Sequence, residues 1–185
     1  MACVLHDVWF HAGTWIEPLE NWDLLDAQLW TTALMIGNRT ALISNLVEIR
    51  QILEIRTMEL AAQHRTPEQL RSLEEDLASM EAALEDLNSA AYNRTARRFH
   101  DHLAIASGNM LLLRLTRALS QALESTKQFG NESRDVLYHS FKEHQSIFSA
   151  VLRGNSEEAS KATMRHLQDF EESVRSHDGE TGLAL

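Results

Sequence analysis

Residues Thr66 to Leu87, TPEQLRSLEEDLASMEAALEDL, decide the fold. Thr66 can cap a helix, Pro67 suits its first turn, and Gln69 completes a capping box. Beyond them Leu70, Leu73, Leu77, Met80, Leu84 and Leu87 alternate three and four apart, with charged residues between. That spacing is helical, and such a seam packs against another helix at a shallow angle.

The same signals extend in both directions. Upstream, a helix is expected over Thr40–His64, burying Leu42, Leu46, Ile49, Leu53 and Leu60. Before it, WDLLDAQLWTTALMIG gives a short helix from Trp22 to a stop at Gly37. Residues 1–21 are aromatic-rich, contain Gly13 and Pro18, and read as an extended or wing-like arm. Downstream, a fourth helix ends at Ser107-Gly108, and a fifth covers Asn109–Phe129 before the turn Gly130-Asn131. A sixth runs from Ser133 to Arg153 and stops at Gly154. Asn155 caps a seventh, with Glu158 at the capping-box position, that reaches His177. The fold class is therefore all-α, an antiparallel bundle of six or seven helices over residues 22–178, with a frayed tail at 179–185.

Composition agrees. Two prolines and seven glycines among 185 residues favour helices over sheets. A single cysteine, Cys3, excludes an internal disulfide framework and suits the cytoplasm. Neither a signal peptide nor a membrane span is expected. The net charge is −10, and no Lys or Arg precedes Arg39. Nucleic-acid affinity comes mainly from basic groups, so this chain alone is expected not to bind DNA.

The nine histidines sort by helix face. His100 lies in line with Ala96, Leu103 and Ser107, and His144 with Leu137, Phe141, Phe148 and Val151. His166 lies in line with Ala159, Thr163, Phe170 and Val174. Three histidines on three helices thus point inward. Each could be a separately hydrogen-bonded core residue, or all three could share a divalent metal that satisfies them together. His139 has Asp135, Lys142 and Glu143 as face neighbours and reads as solvated. His102 lies beside Arg98 and Ala106 and reads as non-functional, while His6, His11, His64 and His177 read as surface residues.

Four segments carry a family resemblance: VEIRQILEIRTMELAAQHRTPEQLRSLEEDLASM, RRFHDHLAIASGN, KEHQSIFSAVLRGN and MRHL. In this order they resemble the ligand-sensing C-terminal (FCD) domain of GntR-type transcription regulators, FadR subfamily, over residues 22–177. The resemblance implies a dimeric helical bundle that binds a small carboxylate effector against a divalent metal, zinc or nickel. It implies His100, His144 and His166 as metal ligands and Arg50 as a holder of the effector's carboxylate. The alternative for Arg50 is an intrahelical pair with Glu54 at the surface. The family's fourth ligand, an aspartate one turn before the first histidine, is Ala96 here. Asp101 is a poor substitute, because adjacent residues point about 100° apart around a helix. The site is then either a metal with water replacing the aspartate or a metal-free histidine-lined pocket.

The segment GTWIEPLENWDLLDAQLW resembles the wing end and linker helix of sugar-acid-responsive members, which makes a sugar acid the suggested effector class. The resemblance implies a winged helix before this point, and the sequence is read as lacking it. Two other functions compete. A di-iron enzyme needs paired Glu-x-x-His motifs, and none occurs. A zinc hydrolase needs a base beside the metal water, and the three matched helices are expected to offer no inward carboxylate there. A structural dimerisation module would use the seam of the third helix and Trp9, Phe10 and Trp15.

Overall fold

The capping box at Thr66 forms: its hydroxyl accepts from the Gln69 amide, and the Gln69 side chain accepts from the Thr66 amide at 2.8 Å. The helix it starts, α3, spans Pro67–Glu85. In the computed structural model, which describes residues 16–126 and 133–181, this helix sits among six others and no strand is present among the described residues. They are α1 (Ala27–Ile36), α2 (Arg39–His64), α4 (Ser89–Ala106), α5 (Met110–Thr126), α6 (Arg134–Arg153) and α7 (Ser156–Thr181). None of these is long and apolar enough to cross a membrane.

Three boundaries differ from expectation, two of them because a capping residue sets the helix end. The first helix starts at Ala27 rather than Trp22, because Asp26 accepts from the Gln28 and Leu29 amides and so fixes the N-terminus there. Trp22 instead donates its indole N–H to the Glu17 carbonyl at 2.9 Å. The α3 seam stops short of Leu87, which takes a positive φ of 52° and is exposed while Asn88 caps α4. Helix α7 continues to Thr181 instead of ending near His177. The aromatic arm before residue 16 and the Gly130-Asn131 turn lie outside the described residues.

Helix α2 is central and packs mainly against α7, with α4, α5 and α6 also touching it. The two run antiparallel. The Ser156 hydroxyl at the start of α7 donates to the Glu59 carbonyl near the end of α2, while Arg50 lies over the Phe170 ring further along. Of the expected α2 positions, Leu46 is buried and Leu42 and Leu53 pack against a core cluster, but Ile49 is exposed. The buried face is wider than expected and also takes in Ile43, Val47, Arg50, Glu54, Thr57, Met58 and Ala61.

Two apolar clusters result. The larger one joins α2, α3, α4, α6 and α7 around Met58, Leu73, Met80, Phe99, Leu103 and Ile147. The smaller one joins α1, α2 and α5 around Trp30, Leu34, Leu46 and Leu119. Asp76 of α3 is buried and clasps α4, accepting from Arg98 Nε and contacting His102 Nδ1 at 2.6 Å. Gly154 ends α6 with φ of 68°, a left-handed conformation that favours glycine, and the Arg65 guanidinium occupies the space a Cβ would need, so a side chain there would also have to displace it.

Candidate metal centre

His100 on α4, His144 on α6 and His166 on α7 meet at the edge of the larger cluster. Each offers one ring nitrogen, and the three nitrogens lie within 4.8 Å of one another. The His144 ring stands edge-on to Phe99 and Tyr92, and it is 2% exposed. Desolvating an imidazole this completely requires that its nitrogens be used.

Hydrogen bonds on the far sides of two rings orient them. His144 Nδ1 donates to the Ser140 carbonyl at 2.7 Å, which leaves its Nε2 as a lone pair. His166 Nδ1 donates to Glu143 Oε2 at 3.0 Å, which leaves its Nε2 available in the same way. His144 Nε2 and His100 Nε2 are 3.2 Å apart. Two nitrogens on one tetrahedral zinc would be about 3.4 Å apart, given bonds of about 2.1 Å. Histidines whose outer nitrogens are tied to a carbonyl and a carboxylate are the usual surroundings of a divalent ion. The residues present therefore fit a metal.

Glu143 is what the sequence reading missed. It follows Lys142, precedes His144, and was grouped with the solvated neighbours of His139. In the structure its side chain is 13% exposed, and the expectation of no inward carboxylate is thereby corrected. It approaches His166 from Nδ1, the side opposite the ligand nitrogen, so it orients the ring and does not stand where a base for metal-bound water would. Ala96, at the expected aspartate position, packs against the apolar cluster.

Arg50 lies across from this centre on α2. Between the anchors Ser156–Glu59 and Phe170–Arg50, the antiparallel register sets the α2 turn of Arg50 and Glu54 opposite His166. The expected alternative for Arg50 was a surface pair with Glu54. The pair forms, Nε to Oε1 at 2.7 Å, but both side chains are buried. Arg50 Nη1 and Glu54 Oε2 are enclosed without partners. A donor and an acceptor are thus held ready opposite the histidines.

Further out, His139 Nε2 contacts Asp169 Oδ2 at 2.7 Å. The Asp169 carboxylate raises the His139 imidazole above its ordinary value, and His139 in turn lowers Asp169. His102 belongs to the Asp76 clasp and takes no part in the histidine cluster. His64 binds the Ser107 carbonyl at 2.9 Å, tying the end of α2 to the end of α4.

Comparison with known proteins gives one consistent result. The family model described as FCD domain matches residues 45–169. The HTH-type transcriptional regulator LutR of Bacillus subtilis (strain 168) is 31% identical over 168 residues, 86% of this chain and 73% of that protein. The galactonate operon transcriptional repressor of Escherichia coli (strain K12) is 25% identical over 167 residues, 89% of this chain and 71% of that protein. Among solved structures, E. coli McbR/YncC shares the fold with a TM-score of 0.70 at 17% identity, over 77% of this chain and 67% of that one. Streptococcus agalactiae GntR does so with a TM-score of 0.62 at 24% identity, over 91% and 74%.

Proposed function

This chain belongs to the FCD-domain family of GntR-type transcription regulators, and from that premise we propose that it senses a small carboxylate at the three-histidine centre. The chain is the effector-binding domain of a transcriptional regulator, and its relatives are regulators rather than enzymes. The finer reading has His100, His144 and His166 holding one divalent ion, zinc or nickel, with water where the aspartate would be. The ion supplies a positive centre for the effector's carboxylate. Arg50 offers its spare Nη1 to another acid or hydroxyl group of the same molecule, and Ser140 and Glu143 hold the rings in place.

The observation that carries this reading is the pair of tied Nδ1 atoms, which turns two ligand nitrogens toward a third. A sugar acid is the proposed effector class. It agrees with the linker segment and with a relative named for a galactonate operon. The domain acts as a cytoplasmic homodimer, and effector binding changes helix packing and hence dimer geometry. With a net charge of −10 it contributes little to DNA affinity itself.

Elemental analysis of tag-free protein purified without chelators tests the centre. About one tightly held equivalent of metal is expected, lost in His144→Ala. Galactonate should then raise the melting temperature of the metal-loaded protein, and Arg50→Ala should abolish that rise. Folded protein without metal would overturn the metal reading and leave Arg50 and Glu54 as the centre of a metal-independent pocket.

A further inference from the structure

Beside the inner histidines, α6 and α7 bring together a second set of donor atoms. Helix α6 presents His139 and Glu143 one turn apart, and α7 presents Asp169 one turn beyond His166. One ring nitrogen and two carboxylate oxygens from His139, Glu143 and Asp169 lie within 4.8 Å of one another. We propose that these three side chains form a second divalent-cation site at the rim of the centre, sharing Glu143 with the inner histidines.

Three observations support it independently of the inner metal. First, Glu143 commits Oε2 to His166, while Oε1 is enclosed without a partner. A carboxylate oxygen removed from water needs a donor or a cation. Second, two carboxylates converge here, and among the described residues their ion pairs are to histidines, Asp169 to His139 at 2.7 Å and Glu143 to His166 at 3.0 Å, with none to a lysine or arginine. The adjacent Lys142 reaches instead to Gln145 at 3.1 Å and lies 5.2 Å from the Tyr138 ring centre. Third, the donor set is complete enough to be selective. One imidazole with two carboxylates suits zinc, manganese or nickel, and three protein ligands leave positions open for water.

The sharing of Glu143 gives the rim site its consequence. A cation on one carboxylate oxygen leaves the other free to keep its hydrogen bond to His166. The rim ion therefore fixes the position of the carboxylate behind an inner ligand instead of competing for that ligand. His139 and Asp169 are 66% and 42% exposed, so the rim site exchanges with solvent while the inner one is enclosed.

Zinc titration of tag-free protein stripped with chelator, followed by calorimetry or a competing chromophoric chelator, tests this. Wild type is expected to bind two equivalents, one tight and one weaker. His139→Ala and Asp169→Asn should each remove the weaker one and leave the tight one, with unchanged circular dichroism. His144→Ala should remove the tight one and keep the weaker. Glu143→Gln should weaken both, the inner by roughly tenfold, as loss of an orienting partner does. A single equivalent in wild type, or a second equivalent indifferent to His139→Ala and Asp169→Asn, overturns the proposal. Failure of the inner site alone would read differently: a weaker class lost in His139→Ala with no tight class present.

Discussion

At the scale of the residue, the histidines show what spacing can and cannot reveal. His100, His144 and His166 were legible because each shares a helix face with apolar residues, and face membership survives folding. Glu143 was not legible because its face neighbours toward the start of α6, Asp135, His139 and Ser140, are polar and outweigh the buried Ile147 and Ala150 on the other side. Only the arrival of His166 from α7 encloses it. The His139–Asp169 pair makes a prediction of its own for metal-free protein. His139 is raised above 6.5, so its share of the pair's stabilisation is complete below that pH and fades as pH climbs through the folded value. Asp169 is lowered below 3.8, so its share is complete above that pH and fades as pH falls through its folded value. The pair thus contributes fully between these limits, and by no more than about 0.5 kcal/mol, because both groups are exposed. An NMR titration should place the His139 midpoint above its ordinary value and find it lower in Asp169→Asn. An identical midpoint in the two proteins would remove Asp169 as the cause.

At the scale of the element, α3 and α2 are opposites. The α3 period is clean because its buried positions are nearly all apolar, and its capping box formed as read. The α2 face was read too narrowly because two of its buried residues, Arg50 and Glu54, are charged, and a hydrophobic pattern steps around charges. Burying such a pair seldom adds stability over apolar side chains of similar size, yet removing one partner strands the other. Arg50→Met and Glu54→Leu are each expected to destabilise by about 3 kcal/mol, and the double variant to recover most of that loss in urea unfolding. The double variant should be folded, loaded with metal, and insensitive to the acid effector. That combination would assign the pair to sensing. A double variant as unstable as the sum of its parts would assign it to structure.

At the scale of the whole molecule, several of the apolar side chains left outside belong to three neighbouring helices. Met35 and Ile36 on α1, Ile52 on α2, and Met110 and Leu111 on α5 are each more than 60% exposed. These three helices pack on one another. Exposed apolar surface of this kind marks association surfaces. Light scattering is expected to give a dimer at micromolar concentration, shifted toward monomer by Ile52→Glu. A monomeric wild type would exclude the proposed dimer. The bundle class and the order of helices were legible at this scale because caps and glycine stops are local signals. The beginning of α1 and the end of α3 were not, since Asp26 and Asn88 compete with periodicity that runs past them.

The pairing of α2 with α7 has a consequence for the order in which the protein comes into being. On the ribosome α2 emerges well before α7, its principal neighbour. Until then Arg50, Glu54 and the apolar residues around them have no lasting cover, and local contacts within α3 and α4 must hold the nascent chain together. Closure of the bundle and completion of the histidine set are therefore one event, which waits for α7. A newborn chain cannot assemble its three histidines before it has acquired its fold.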